Sequence, residues 1–149
     1  MEESIKTEEL VDLLDKAFQL PEKDWSQYSA LTLAFIGDGV YDLIIRTILV
    51  KRADIQGRKL HRRKSQVVQA GTQADMIHAL LSLLTPEEAS VFRRGHNAKP
   101  TNNAKNASRE EYLDATGFEA LVGYLYLQRR YERLLELIQK GLELTGHKL

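Results

Sequence analysis

Apolar positions recur at helical spacing along nearly the whole chain, and no stretch alternates as a half-buried strand would. Leu10, Val11, Leu13, Leu14 and Phe18 share one helix face, which Thr7 can cap and which ends near Pro21. The next helix opens at Ser26 or Ser29 and runs to about Lys51. It is apolar nearly all round, which means burial within the domain, at a subunit interface, or both. GRKLHRRKSQVVQAGTQADMIHALLSLL predicts two helices divided near Gly71. TPEE reads as a capping box, with Thr85 as cap, Pro86 in the first turn and Glu88 closing it, and that short helix stops at Gly95. Residues 95–108, rich in Asn and Lys, form a loop long for a compact domain. A second box, Ser108 to Glu111, starts a helix that passes Glu119 and ends about Gln128; YERLLELIQKGLEL predicts a last helix ending at Gly146. The expected fold class is all-α, a single domain over residues 1–149, with an N-terminal helix and linker (1–25) and a core (26–145).

Two carboxylates break this pattern. Asp38 lies inside LTLAFIGDGVYDLIIRTILV and Glu119 inside TGFEALVGYLYL, both nearly all apolar. An ionised carboxylate buried in such a helix costs several kcal/mol unless a cation meets it. Gly37 and Gly39 flank Asp38, and such glycines clear space for a ligand or another backbone. A divalent cation held between the two helices accounts for all of this, since Mg²⁺ takes oxygen ligands and keeps several waters. The plainer alternative is a buried ion pair with Arg46 or another cation. Asp42 is expected to pair with Arg46 at i,i+4.

Composition narrows the chemistry. There is no cysteine, so disulfides, zinc–thiolate sites and cysteine nucleophiles are excluded. The four histidines are scattered without ligand spacing, which argues against an imidazole-rich metal site. The N-terminus is acidic where a signal peptide would be basic, and the longest apolar run carries charges, so a cytoplasmic protein with no membrane span is expected. The net charge of zero conceals a segregation: residues 51–109 hold 12 Lys+Arg against 4 Asp+Glu. Such a stretch is the footprint of a polyanion surface. Its candidate RNA contacts are Arg62, Lys64, Ser65, Gln73, Arg93, Arg94, Asn97, Lys99 and Lys105. Phe92 is its only aromatic, which disfavours a base-stacking platform and favours backbone recognition of a duplex. The acidic pair and the basic stretch together point to metal-assisted cleavage at a phosphodiester. The competing readings are an RNA-binding module without catalysis and a helical protein whose basic face binds an acidic protein.

LAFIGDGVYDLIIR resembles the signature helix of the ribonuclease III family, usually close to LEFLGDAVL, and ATGFEALVGYLYL resembles that family's second acidic helix. FRRGHNAKP and LHRRKSQVVQA are similar to its Mini-III branch, short bacterial enzymes without a double-stranded-RNA-binding domain. The resemblance covers roughly residues 28–140. It implies an all-α endonuclease domain, a homodimer, Mg²⁺ dependence with Mn²⁺ as substitute, and cleavage of double-stranded RNA. Within that branch it implies maturation of precursor 23S ribosomal RNA ends, with a ribosomal protein as a candidate helper. Asp38 and Glu119 match the family's catalytic, metal-binding acids. Ala34 and Thr116 stand where the usual motifs carry two further acids, a reduced set that the Mini-III branch shares.

Overall fold

The computed structural model describes residues 9–52, 57–98 and 108–149. Its helices are α1 (Leu10–Phe18), α2 (Ala30–Arg52), α3 (Gly57–Val68), α4 (Ala70–Leu80), α5 (Pro86–His96), α6 (Arg109–Leu127) and α7 (Tyr131–Leu144), with short 3₁₀ turns at Trp25–Gln27 and Leu81–Leu83. No strand occurs among the described residues, so the fold is all-α. None of these helices is long and apolar enough to cross a membrane.

The polar caps anticipated from the sequence are formed. Ser29 Oγ accepts from the Thr32 amide at 3.1 Å and opens α2. Thr85 and Glu88 close a reciprocal capping box on α5, and Ser108 and Glu111 do the same on α6. The helix ends add detail in three places. Gln19, in the left-handed region at φ 53°, closes α1 before Pro21 is reached, and Thr7 lies outside the described residues. The basic segment divides into two helices as expected, with the break near Gly71 falling at Gln69, which turns extended while the Thr72 hydroxyl donates to Gln66 O at 2.6 Å across it. Gly95 does not stop α5, which continues to His96, because Gly95 is buried where the helix crosses Gly117 of α6.

α6 is the central helix, packed against α2, α4, α5 and α7. Residues 114–118 and 120–125 are all buried. Its closest approach is to α2, where a Cβ on Gly37 would stand 1.8 Å from Glu119 O and one on Gly123 would stand 2.0 Å from Leu33 O. Only glycine admits two backbones that close. Leu33, Ile45, Leu121 and Leu125 fill the interior nearby, each stabilising by roughly 1.5–3 kcal/mol when fully buried. Tyr41 stacks edge-on against Phe118 across the same interior. Glu88, fully buried, is met by Arg133 at 2.8 and 2.9 Å, and those hydrogen bonds hold its carboxyl below the usual range.

The sequence places Asp38 in a helix covered within the domain, at a subunit interface, or both, and within the single chain its flank is left uncovered. Asp38 is exposed, as is Gly39. α2 packs only one flank into this chain, and Leu31, Phe35, Leu43 and Val50 share the outward flank with Asp38.

Candidate active site

The close crossing of α2 and α6 sets the two acids side by side. Asp38 follows Gly37, whose missing side chain lets the Glu119 backbone approach, so both carboxyl groups emerge at one crossing. The Asp38 carboxyl stands near enough to Glu119 to act on its ionisation. Glu119 is pushed up to about 8, first by burial and then by the charge and hydrogen bond of Asp38, with a hydrogen bond from Gln73 opposing. With Glu119 buried and Asp38 beside it, the pair favours a shared proton or a cation held between the two groups.

Gln73, expected on the RNA face, belongs here. It is 1% exposed on α4, and its Nε2 donates to Val68 O at 2.7 Å and toward Glu119 Oε2 at 3.4 Å. Gln73 Oε1 is buried with no hydrogen-bond partner among the described residues. A buried acceptor left without a donor is costly. Two carboxylates and a free amide oxygen suit a hard divalent cation that keeps water in its other positions. Tyr41, one turn beyond Asp38, donates its hydroxyl to Val67 O at 3.1 Å and is pushed up by burial and by Glu119. Neither family-motif substitution restores an acid. Ala34 is buried in the core, and the Thr116 hydroxyl donates back to Tyr112 O at 2.9 Å.

The basic residues are dispersed more widely. Arg62 on α3 and Arg93 on α5 are exposed. Lys64 is half-buried and pairs with Asp42 at 3.4 Å, while Asp42 also pairs with Arg46 at 2.6 Å as anticipated. Ser65 is half-buried beside it on α3. Arg94 is exposed and donates to Tyr28 O, and Asn97 contacts His96. Lys99 and Lys105 lie outside the described residues. Lys64 and Ser65 therefore share α3, but Gln73 sits on α4 and points to the acids.

The histidines, scattered in sequence, are not scattered in space. His78 from α4 and His96 from α5 both reach Asp114 of α6, at 2.8 and 3.3 Å, and His96 also meets Glu110 at 3.0 Å. Hydrogen bonding to Glu110 is the main cause that raises the His96 imidazole above its usual range. No sequence spacing signals this group, because three helices contribute to it.

A family model described as the ribonuclease III domain matches residues 31–130. The chain is 47% identical over 109 residues to a Mini-ribonuclease 3 of Symbiobacterium thermophilum, covering 73% of this chain and 84% of the relative. It is 43% identical over 122 residues to that of Clostridium tetani, covering 81% of each. A crystal structure of a Fusobacterium nucleatum protein superposes with a TM-score of 0.74 at 27% identity, covering 84% of this chain and 98% of that one. Helical fold, motif order and relatives agree: the chain belongs to the ribonuclease III family, in its Mini-ribonuclease 3 branch, and is an RNA endonuclease.

Proposed function

We propose that the protein is a divalent-metal-dependent endonuclease of double-stranded RNA, acting as a homodimer on paired ends of precursor 23S ribosomal RNA, with residues 26–145 as its nuclease core. The observation that carries the reading is the meeting of Asp38 and Glu119 at the α2–α6 crossing, beside the unpartnered Gln73 Oε1. Asp38 and Glu119 would hold the ion, Mg²⁺ with Mn²⁺ as substitute. The bound ion supplies Lewis acidity at a phosphoryl oxygen and a water that ionises near neutral pH. The chain's own part is to hold the two carboxyl groups side by side and fixed, ready to be ionised together when the ion is bound. Gln73 steadies Glu119 through its amide, and the Gly37–Gly123 contact fixes the distance between the helices.

The basic face supplies the grip. Arg62 and Arg93 are exposed and stand among the candidate phosphate contacts, with Lys64, Ser65, Arg94, Asn97, Lys99 and Lys105. Arg62→Gln with Arg93→Gln should weaken duplex binding and flatten its salt dependence, by roughly 0.7–0.9 in slope per lost phosphate contact. Turnover at saturating RNA should change little. A binding titration across salt concentrations checks it, and an unchanged slope would remove these two from the interface.

The decisive experiment incubates a long RNA duplex with the protein and Mg²⁺, followed by denaturing electrophoresis. Wild type should cut, and Asp38→Asn and Glu119→Gln should each lose at least about a thousandfold in rate, the scale of a lost electrostatic stabiliser. Circular dichroism should show both variants folded. Duplex binding without cleavage by wild type would return the protein to the non-catalytic reading, and full activity in either variant would relocate the site.

A further inference from the structure

We propose that His96, Glu110 and Asp114 form a second metal site, for a divalent first-row transition ion such as Zn²⁺, which ties the end of α5 to the first two turns of α6. The inference does not depend on the nuclease reading. Its residues are separate from the Asp38–Glu119 pair, since Asp114 precedes Glu119 on α6 by about 7.5 Å of helix rise.

Three observations support it. His96 Nε2 lies 3.0 Å from Glu110 Oε1 and 3.3 Å from Asp114 Oδ1, and the three ligand atoms all fall within 4.8 Å of one another. Ligands at the corners of a tetrahedral zinc, with bonds of about 2.0–2.2 Å, stand roughly 3.3–3.6 Å apart, so these atoms need only a small adjustment.

The imidazole is also oriented for this task. Its Nδ1 lies 3.2 Å from Asn97 Oδ1, which accepts a proton carried there, and Nε2 is directed at two carboxylate oxygens, so that a neutral ring protonated on Nδ1 turns its Nε2 lone pair to the ligand position. Two carboxylates facing one ring nitrogen call for a cation there, and a metal ion on Nε2 takes the place that a proton holds without it. Metal-bound histidines use their second nitrogen in this manner.

Asp114 supplies the third observation. Its side chain is 4% exposed, and its described partners are the imidazoles of His78 and His96 rather than a lysine or arginine. His78 Nε2 meets Asp114 Oδ2 at 2.8 Å, which holds the carboxylate with its other oxygen toward the ligand position. One imidazole with two carboxylates favours zinc or a neighbouring ion over Mg²⁺, which prefers an all-oxygen octahedron. With three protein ligands, the fourth position stays open to water.

The test uses the full chain carrying Asp38→Asn and Glu119→Gln, so that the acidic pair no longer competes for metal. After chelator treatment, Zn²⁺ is titrated calorimetrically at pH 7.5, with thermal unfolding followed alongside. One Zn²⁺ per chain is expected, with a raised unfolding temperature, and tenfold Mg²⁺ should not displace it. Adding Glu110→Gln, a surface change that keeps the fold, or His96→Ala should abolish the binding. His78→Ala, on an exposed side chain, should weaken it by roughly 10–100-fold as an outer partner does. Absence of stoichiometric Zn²⁺ binding would overturn the proposal and leave a proton on His96 as the cation of the group. Binding that survives His96→Ala and Glu110→Gln together, or that Mg²⁺ displaces, would overturn it equally.

Discussion

Glu119 sits against Asp38 at a cost to the fold that depends on pH. Its ordinary value is 4.5 and its folded value about 8, so between those limits the folded chain holds a proton that the unfolded chain has released. Stability without metal therefore falls as pH rises through that window, and the full penalty is present above about 8. Glu119→Gln should accordingly stabilise the metal-free protein at pH 8.5 and leave it nearly unchanged at pH 4.5. Denaturant titrations in chelator at the two pH values check this, and an equal gain at both would show that charge is not the cause. The pair itself was legible in the sequence, because an acid within an apolar helix stands out. Gln73 was not, since an amide in a basic segment looks like any other RNA contact, and only the fold turns it inward beside Glu119. The exposure of Asp38 was equally hidden, because helical periodicity does not show which flank of an all-apolar helix a single chain covers.

The relation between α2 and α6 is set by two glycines rather than by large side chains. The sequence assigned Gly37 and Gly39 the same role, clearing space around Asp38, and the structure separates them. Gly37 faces the α6 backbone, whereas a Cβ on Gly39 would meet nothing within 4 Å. Gly37→Ala should cost about 1–3 kcal/mol or more through overpacking and should displace Glu119, so that cleavage falls as well. Gly39→Ala, in this chain alone, should be neutral or gain roughly 0.5–1 kcal/mol from helix propensity. Urea midpoints at unchanged slope measure both, and similar losses in the two variants would contradict this assignment. The capping boxes at Thr85 and Ser108 were readable because capping is local chemistry. The break at Gln69 and the run of α5 through Gly95 were not, because tertiary contact decides them.

At the scale of the molecule, the outward flank of α2 is the feature one chain leaves unresolved. Phe35 is 82% exposed, Val50 65% and Leu43 60%, and they share that flank with Asp38 and the Asp42–Arg46 pair. A two-fold contact through this flank is self-complementary, and it would cover the apolar stripe while bringing the acidic sites of two chains near one another. A duplex has two strands of opposite polarity, so a two-fold pair of sites presents one to each. Phe35→Asp should therefore convert a dimer into a monomer in sedimentation at micromolar concentration. The fold should survive, because Phe35 has little contact within its own chain, and cleavage of both strands should fall together. Leu135→Asp, a comparable change at a half-exposed leucine on α7, should leave the dimer intact. A wild-type monomer, or a Phe35→Asp variant that remains dimeric and active, would mean that another surface or the substrate covers this flank.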